Sequence, residues 1–484
     1  MSVQWWNTVS NIILLANTAL AFFILFFEQK RATSIWAWVL LLFFLPVAGL
    51  ILYLFFGLPH RKNKGKQSSV YSNQNMQKTS RQQLQEIDRG AFTDLPEAVK
   101  AFRQTVRMNL KTATAPLSAN NSLDIYTDGK LKFDSLFKDI EAAADHIHLQ
   151  YYIVRDDGIG GQLIGRLTEK AKQGVKVCVL YDDIGSKSLS KSFFSAFFKA
   201  GGKAAASLPS RIPMGNPRVN YRNHRKIAVI DGKVGYVGGF NVGDEYLGEK
   251  GKFGYWRDTH IRIEGDAVHS LQNQFLSDWN MACEKNQLKY AENFFPASPG
   301  FEGISMQVVG SGPDEKIDQI KNGFLKMISR AENSVYIQTP YFIPDPSILD
   351  ALCTASLSGV DVRIMIPNKS DHLFVHTASL SFVEELLSAG VKAYEYENGF
   401  LHAKTVVIDS KAFSIGSANM DIRSFSLNYE TNIFAFDEKA AEEMVRIFLQ
   451  DVELSGELTL DEFKGRSFYE YAKQRIAKLV APIL

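Results

Sequence analysis

The chain is short of the residues that announce a metal or a disulfide. Cysteine occurs three times, as Cys178, Cys283 and Cys353, with no CxxC pair. That spacing reads as buried small hydrophobes, not as a disulfide framework or a zinc site. There is no HExxH and no dense His/Cys cluster, so no metal and no other cofactor is expected. An excess of one charge is also missing: 54 Lys and Arg stand against 52 Asp and Glu, a net +2. A nucleic-acid partner usually leaves a strongly basic domain, so none is expected here. What the chain has is length, 484 residues, and with it an expectation of two or three domains.

It also has long apolar runs, both at the N-terminus. Residues 9–27 read VSNIILLANTALAFFILFF, and after the break EQKRATS residues 35–58 read IWAWVLLLFFLPVAGLILYLFFGL. Each is long enough to cross a bilayer as a helix. Trp5, Trp6, Trp36 and Trp38 lie near the run ends, where indoles favour the interface. The first run has no basic n-region and a second follows at once, which argues against a cleaved signal peptide. The pattern predicts a transmembrane helical hairpin and a multi-pass cell-membrane protein. The loop carries Lys30 and Arg31, the far flank Arg61, Lys62, Lys64 and Lys66. This excess of positive charge predicts a cytoplasmic location for the rest of the chain. Residues 61–85 are polar and basic and read as a juxtamembrane linker or an exposed helix, with lysines able to touch anionic headgroups.

Beyond the linker the sequence is written twice. In one half DSLFKDIEAAADHIHLQYYIV reads as a helix and a buried strand; in the other DQIKNGFLKMISRAENSVYIQTPYFI does the same, with Gln150 and Gln338 at matching places. GVKVCVLYDD and AGGKAAASL in the first correspond to GVDVRIMIPN and AGVKAYEY in the second. Strands alternating with helices predict two α/β repeats with mixed sheets and a pseudo-two-fold arrangement. The expected division is 1–60 for the two membrane helices, 61–118 for the linker and a helix, and 119–293 and 294–484 for the repeats. The Pro/Gly-rich stretch at 294–315 marks the boundary between repeats.

Each repeat arrives at the same motif, H-x-K-x4-D, then six residues, then G-G/S-x-N. The first copy is His224, Lys226, Asp231, Gly238, Gly239 and Asn241; the second is His402, Lys404, Asp409, Gly416, Ser417 and Asn419. Positions i and i+2 of a strand share a face, so each histidine projects with its lysine. The apolar residues that follow, IAVI and TVVI, make a stiff buried strand, and DGK or DSK turns it back in a hairpin. A polar pair on a rigid support suits a catalytic site. Two matched copies leave chance behind.

This double motif resembles the signature of the phospholipase D superfamily, and NYRNHRKIAVIDGKVGYVGGFNVGDEY, FGYWRDTHIRIEG, GFLHAKTVVIDS and GSANMDIRSFSLNYE are similar to its bacterial cardiolipin synthase branch. The resemblance covers nearly the whole chain, the basic linker least. It implies a membrane enzyme acting on phosphatidylglycerol: two molecules give cardiolipin and glycerol through a phosphatidyl-histidine. His224 would be the nucleophile, and His402 the general acid and then the general base. Lys226 and Lys404, with Asn241, Asn419 and Ser417, would neutralise the phosphate without a metal. Asp258 and Glu430 match the carboxylates that orient the imidazoles. Asp231 and Asp409 complete the catalytic motif as braces for the hairpin and its lysine, not as proton carriers. The chain departs from the family at Gly239, where a serine is usual, so one half lacks the hydroxyl of Ser417. The same motif also serves a phospholipase D releasing phosphatidic acid, or a lipid-binding membrane scaffold without catalysis.

Other features have plainer readings. Phe193, Phe194, Phe197 and Phe198 share a helical face, as core or as acyl-chain contacts. The C-terminal FYEYAKQRIAKLVAPIL is an interfacial amphipathic helix or a docking helix. His372 and His376 lack further ligands and read as structural or substrate-lining, while His146 and His148 alternate on a strand as ordinary core groups.

Overall fold

The computed structural model describes residues 2–27, 32–53, 70–90, 95–208, 221–248, 254–298, 300, 303–369, 371 and 373–480. The chain divides into two compact units, one holding residues 1–66 with 210–221, the other nearly all the rest. Lys30, Arg31, Arg61, Lys62, Lys64, Lys66 and His372 lie outside the described residues.

In the first unit the helix Ser2–Phe27 packs beside a broken partner, Ala32–Phe44 and Pro46–Leu52. The second apolar run is therefore not one helix. Pro46 has no N–H to give the Leu42 carbonyl and its ring crowds the preceding turn, so the helix breaks. Asn17, a polar residue inside the first run, makes good the loss: its Nδ2 donates to Leu42 O at 3.2 Å and Pro46 O at 3.0 Å. Ile24, Trp38, Leu42 and Tyr53 form a small buried cluster, so Trp38 packs inside instead of marking an interface. Leu15, Phe26, Phe43 and Phe44 point outward. Among the described residues no helix is long and apolar enough to cross a membrane, so the expected pair of spans is not shown here.

The second unit is built on two sheets. The first half contributes β1 (Asn121–Tyr126), β2 (His146–Tyr151), β3 (Lys176–Asp182), β4 (Lys203–Ser207), β5 (Arg222–Asn223), β6 (Ile227–Ile230), β7 (Val234–Gly238), β8 (Trp256–Arg257) and β9 (His260–Gly265). The second half contributes β10 (Ser305–Ser311), β11 (Ser334–Gln338), β12 (Phe342–Ile343), β13 (Asp361–Pro367), β14 (Lys392–Tyr396), β15 (Phe400–Leu401), β16 (Thr405–Ile408), β17 (Ala412–Gly416), β18 (Met420–Asp421), β19 (Asn428–Phe436) and β20 (Ser455–Leu458). One sheet runs β1-β9-β7-β6-β2-β3-β4 and the other β10-β19-β17-β16-β11-β13-β14-β20. Taken strand by strand, the first seven positions correspond, and within each sheet parallel and antiparallel pairs mix in the same places. The fold is thus mixed α/β and repeated. The repeats also exchange short strands: β5 pairs with β19, and β15 with β8.

The strands carrying the motifs, β6 and β16, lie inside their sheets and are buried at every residue. A strand paired on both sides and covered on both faces reads as a continuous apolar run, as IAVI and TVVI do. The remaining elements frame this core. Within the second unit the helix Val70–Asp88 packs on the core through Leu84 and Ile87, and Gln83 exchanges two hydrogen bonds with the Leu117 backbone. Of the phenylalanine stripe, Phe194 and Phe197 are buried and Phe198 is exposed, on a helix of only five residues, Ser195–Lys199. The C-terminal helix Phe468–Val480 docks through Lys478 and Arg475 onto Glu385 and Glu384 and exposes Phe468, Ile476 and Leu479.

Candidate active site

Each histidine is held by the other half of the protein. At the end of β5 the His224 amide donates to the Tyr429 carbonyl at 3.0 Å, and at the end of β15 the His402 amide donates to the Arg257 carbonyl at 2.6 Å. The residue after each of those carbonyls is a carboxylate, Glu430 or Asp258. Both Glu430 oxygens lie 3.0 Å from His224 Nδ1, and Asp258 Oδ2 lies 2.5 Å from His402 Nδ1. The pairing is crossed: the first histidine takes its carboxylate from the second repeat, and the second from the first.

The surroundings fix the tautomer. His224 Nδ1 faces the Glu430 carboxylate and the Ser417 carbonyl, 3.1 Å away, and both only accept. Nδ1 therefore carries the proton and Nε2 keeps its lone pair. The same reasoning puts the proton of His402 on Nδ1, against Asp258. Tyr152 meets the His224 ring edge-on, and Trp256 and Phe400 flank His402.

The lysines sit beside their own histidines. Lys226 Nζ donates to the His224 carbonyl at 2.6 Å, and Lys404 Nζ to the His402 carbonyl. Burial lowers both, Lys226 to about 7 and Lys404 to about 8, against the pull of Glu430 and Asp258, each of which is felt by both lysines. Burial also lowers the histidines, His402 to about 4 and His224 in the same direction, with the neighbouring lysines adding to the effect. Burial tends to raise the two carboxylates, but Lys404 and His402 hold Asp258 below its ordinary value, and His224 and Lys226 do so for Glu430. All six groups share one electrostatic neighbourhood. With lysines and carboxylates charged and imidazoles neutral it is balanced, and it gains a proton most readily when an anion enters.

Behind each carboxylate stands a buried network that the motif did not reveal. Arg225 donates through Nη1 to Asp278 at 2.6 and 2.8 Å and through Nε to the Glu430 carbonyl at 3.0 Å; Gln150 Nε2 donates to Asp278 at 2.6 Å. In the other half Arg257 donates to Asp451 at 3.0 and 2.6 Å and to the Asp258 carbonyl at 2.5 Å; Gln338 Nε2 donates to Asp451 at 2.7 Å. Gln and Asp occupy matching places, yet both arginines come from the first repeat, one beside His224 and one beside Asp258. Tyr429, which matches Arg257, lies under the Arg225 guanidinium instead, 5.3 Å from its ring centre. The matched glutamines were the sequence signal. Aligning the last helices of the two repeats, SDWN on SLQ's helix and LQDV on its counterpart, would have exposed the aspartates.

The other expected site residues fall in several places. Asp231 and Asp409 are away from the imidazoles, at the far turns of β6 and β16. Asp231 accepts from the amides of residues 144, 145 and 146 at 2.8 to 2.9 Å, and Asp409 from those of 332, 333 and 334 at 2.7 to 2.9 Å. They brace the hairpin, but against the start of β2 and β11 and not against the lysine. Both are left-handed, φ 52° and 54°, a conformation Asp tolerates better than most residues. Asn241 is committed at both ends of its amide, accepting from the Ile153 amide at 3.1 Å and donating to the Tyr246 hydroxyl at 3.1 Å. Asn419 is buried with its amide oxygen unpartnered. The Ser417 hydroxyl is committed within the protein, donating to the Thr431 carbonyl at 3.4 Å. It accepts from the Thr431 amide at 3.0 Å and supports the Glu430 carboxylate.

That corrects the meaning of Gly239. A Cβ there would lie 1.9 Å from Asp258 Oδ1, inside any contact distance. The short carboxylate Asp258 needs glycine beside it, and the longer Glu430 stands off far enough for Ser417. Asp258 pairs with His402, while Arg257 goes to Asp451 and Arg262 to Asp139, so neither neighbouring arginine takes the Asp258 carboxylate. His146 and His148 are buried around Gln272, and His376 lies 3.5 Å from Glu395. Among the described residues no cluster of three or more His, Cys, Asp or Glu is arranged to hold a metal.

Known proteins match this arrangement along the whole chain. The family described as cardiolipin synthase, PLD-like domain, matches residues 136–279 and 324–452, and the family described as phospholipase D-nuclease N-terminal matches 15–57. Cardiolipin synthase 2 of Staphylococcus epidermidis (strain RP62A) is 47% identical over 488 residues, covering 100% of both chains. The major cardiolipin synthase ClsA of Bacillus subtilis (strain 168) is 47% identical, covering 99% of this chain and 100% of its own. In fold, the crystal structure of phosphatidylserine synthase from Haemophilus influenzae Rd KW20 is similar at TM-score 0.61 and 14% identity, covering 79% of this chain and 100% of its own.

Proposed function

The chain belongs to the cardiolipin synthase family with phospholipase D-like domains, and from that premise we propose that it is a membrane phosphatidyltransferase joining two phosphatidylglycerols into cardiolipin and glycerol. The observation that carries the reading is the crossed pair of imidazoles, each with Nδ1 held by a carboxylate of the other repeat.

With Nδ1 of His224 committed, Nε2 is the nitrogen free to attack phosphorus. Lys226 and Lys404 neutralise the nonbridging oxygens, with the Asn419 Nδ2 amide as a further donor. His402, protonated as the anion enters, gives its Nε2 proton to the departing glycerol oxygen, leaving phosphatidyl-histidine on His224. The same Nε2 then takes the proton of a second phosphatidylglycerol hydroxyl, which attacks phosphorus and frees His224. One motif cannot occupy both sides of an in-line displacement; two repeats can.

The N-terminal helices would serve as a multi-pass membrane anchor, supported by the outward-facing Leu15, Phe26, Phe43 and Phe44 and by a large apolar exposure that water does not favour. The basic residues at 61–66 favour a cytoplasmic side for the catalytic part. Carbonate extraction tests the anchor, and protease protection of inside-out vesicles tests the side.

The decisive experiment is mass spectrometry of the products that the purified protein forms from phosphatidylglycerol. Cardiolipin with an equal yield of glycerol is expected, and His402→Ala abolishes it. Phosphatidic acid as the sole product would make the protein a hydrolase, and unchanged turnover in His402→Ala would remove the catalytic account altogether.

A further inference from the structure

Next to the first network lies a second cavity of about 320 Å³, walled by the end of β10, the helices Ala267–Ala282 and Gln319–Ile328, and Tyr429. Neither histidine and neither motif lysine lines it, so it is separate from the reacting groups. At roughly 30 Å³ per water it has room for a small organic molecule.

Several donors at the wall are used: Arg225 gives Nη1 to Asp278, Nη2 to the Ser311 carbonyl and Nε to the Glu430 carbonyl. Gln274 Nε2 goes to Asp278 and the Tyr429 hydroxyl to Asp314. Buried polar atoms also remain unmatched. Ser311 Oγ, Gln319 Oε1 and Asn273 Oδ1 are buried without a partner, and the Ser311 and Gln319 residues are each only 3% exposed. Leaving such an atom unsatisfied costs about 1–3 kcal/mol. Charge points the same way, because Asp278, Asp314 and Glu315 line the cavity against the single guanidinium of Arg225. A ligand that donates hydrogen bonds and bears positive charge suits the unpartnered Gln319 and Asn273 oxygens and the excess of carboxylates, and among the described residues no such group is arranged to hold a metal.

We propose that this cavity binds a small organic cation, a primary amine or diamine. Its walls connect it to the nucleophile. Tyr429 carries the carbonyl that holds the His224 amide, and Arg225 holds the carbonyl of Glu430, whose carboxylate orients His224. An ammonium drawn to Asp314 competes with the Tyr429 hydroxyl, and occupancy thereby alters turnover. This coupling rests on the catalytic reading of His224; the binding itself does not.

The test is calorimetric titration of the full-length protein in detergent with putrescine, and separately with glycerol and magnesium chloride. Saturable one-to-one binding of putrescine is expected, with no competition from the other two. Gln319→Leu combined with Glu315→Gln weakens it about tenfold or more while leaving turnover without amine unchanged, and Ser311→Ala, which removes only a hydroxyl, weakens it by a smaller factor. Absence of putrescine binding, equal binding of glycerol or magnesium, or undiminished binding by both variants overturns the site. Saturating putrescine is expected to change kcat in the wild type and not in the double variant; binding without any change in kcat overturns the coupling. Because heat and products are read separately, a failed cavity leaves the lipid-product result standing, and the reverse holds too.

Discussion

Substituting Gly239 by alanine tests the crossed pairing at its tightest point. The new Cβ would fall 1.9 Å from Asp258 Oδ1 and 2.5 Å from its Cγ, so the carboxylate must swing away. It then loses its 2.5 Å contact with His402 Nδ1 and the 2.7 Å bond from the Thr259 amide. A charge-assisted hydrogen bond is worth about 1.5–3 kcal/mol, and each 1.36 kcal/mol is tenfold in rate. The expected loss in kcat is therefore about 10- to 150-fold. The assay is initial-rate cardiolipin formation from phosphatidylglycerol in mixed micelles, per mole of protein shown to be folded by circular dichroism. Gly239→Ser should behave like Gly239→Ala, because the clash comes from Cβ and not from the hydroxyl. Combining Gly239→Ser with Asp258→Glu recreates the Ser417–Glu430 arrangement and should recover much of the loss. A Gly239→Ala protein within about twofold of wild type would refute the steric account of the asymmetry.

Four further outcomes follow from the site. Asp451→Asn weakens a buried pair and leaves the Arg257 guanidinium without its counter-charge; a cost of about 3–5 kcal/mol should appear as a lower melting temperature, and an unchanged melt would contradict it. Lys226 and Lys404 lose their protons through about 7 and about 8 in the empty site, removing the positive charge that receives the phosphate. So kcat/KM, which reports the free enzyme, should fall as pH rises through that range; a value that holds to pH ~9 would show the lysines are not so depressed. Asp231→Ala removes the acceptor of three backbone amides far from the imidazoles, and should lower stability by about 1–3 kcal/mol while kcat per folded molecule is kept. Excess EDTA should leave cardiolipin formation unchanged, since the cations offered to the phosphate are side chains; loss restored by magnesium would overturn that.

Much of the fold could be read directly. The two copies of H-x-K-x4-D and the buried runs IAVI and TVVI place the central strands, and repeated helix–strand order gives two matching sheets. What could not be read is which half supports which histidine. Local spacing puts Asp258 after the first motif and Glu430 after the second, and nothing in a one-dimensional pattern says that the short strands β5 and β15 pair across the repeats. The arginine networks were hidden for the same reason: Arg225 and Arg257 have no matching arginines in the other copy, and their partners Asp278 and Asp451 are 53 and 194 residues away. The partners of the Ser417 hydroxyl could not be read either, because a family pattern records that a residue type recurs, not which way it points. The apolar N-terminal runs showed helices, but the break at Pro46 and its repair by Asn17 depend on a contact between the two.

The crossed carboxylates also govern when the enzyme becomes dangerous to its own surroundings. His224 lies 206 residues before Glu430, and His402 lies 144 residues after Asp258. A ribosome delivers the first motif long before the group that fixes its tautomer. The nascent chain therefore carries an imidazole and a lysine that are not yet aimed, and phospholipid headgroups nearby are spared until β19 has been made and folded. A chain truncated before Glu430 lacks the carboxylate that orients His224 and is expected to be inactive, so chemistry waits on completion of the polypeptide.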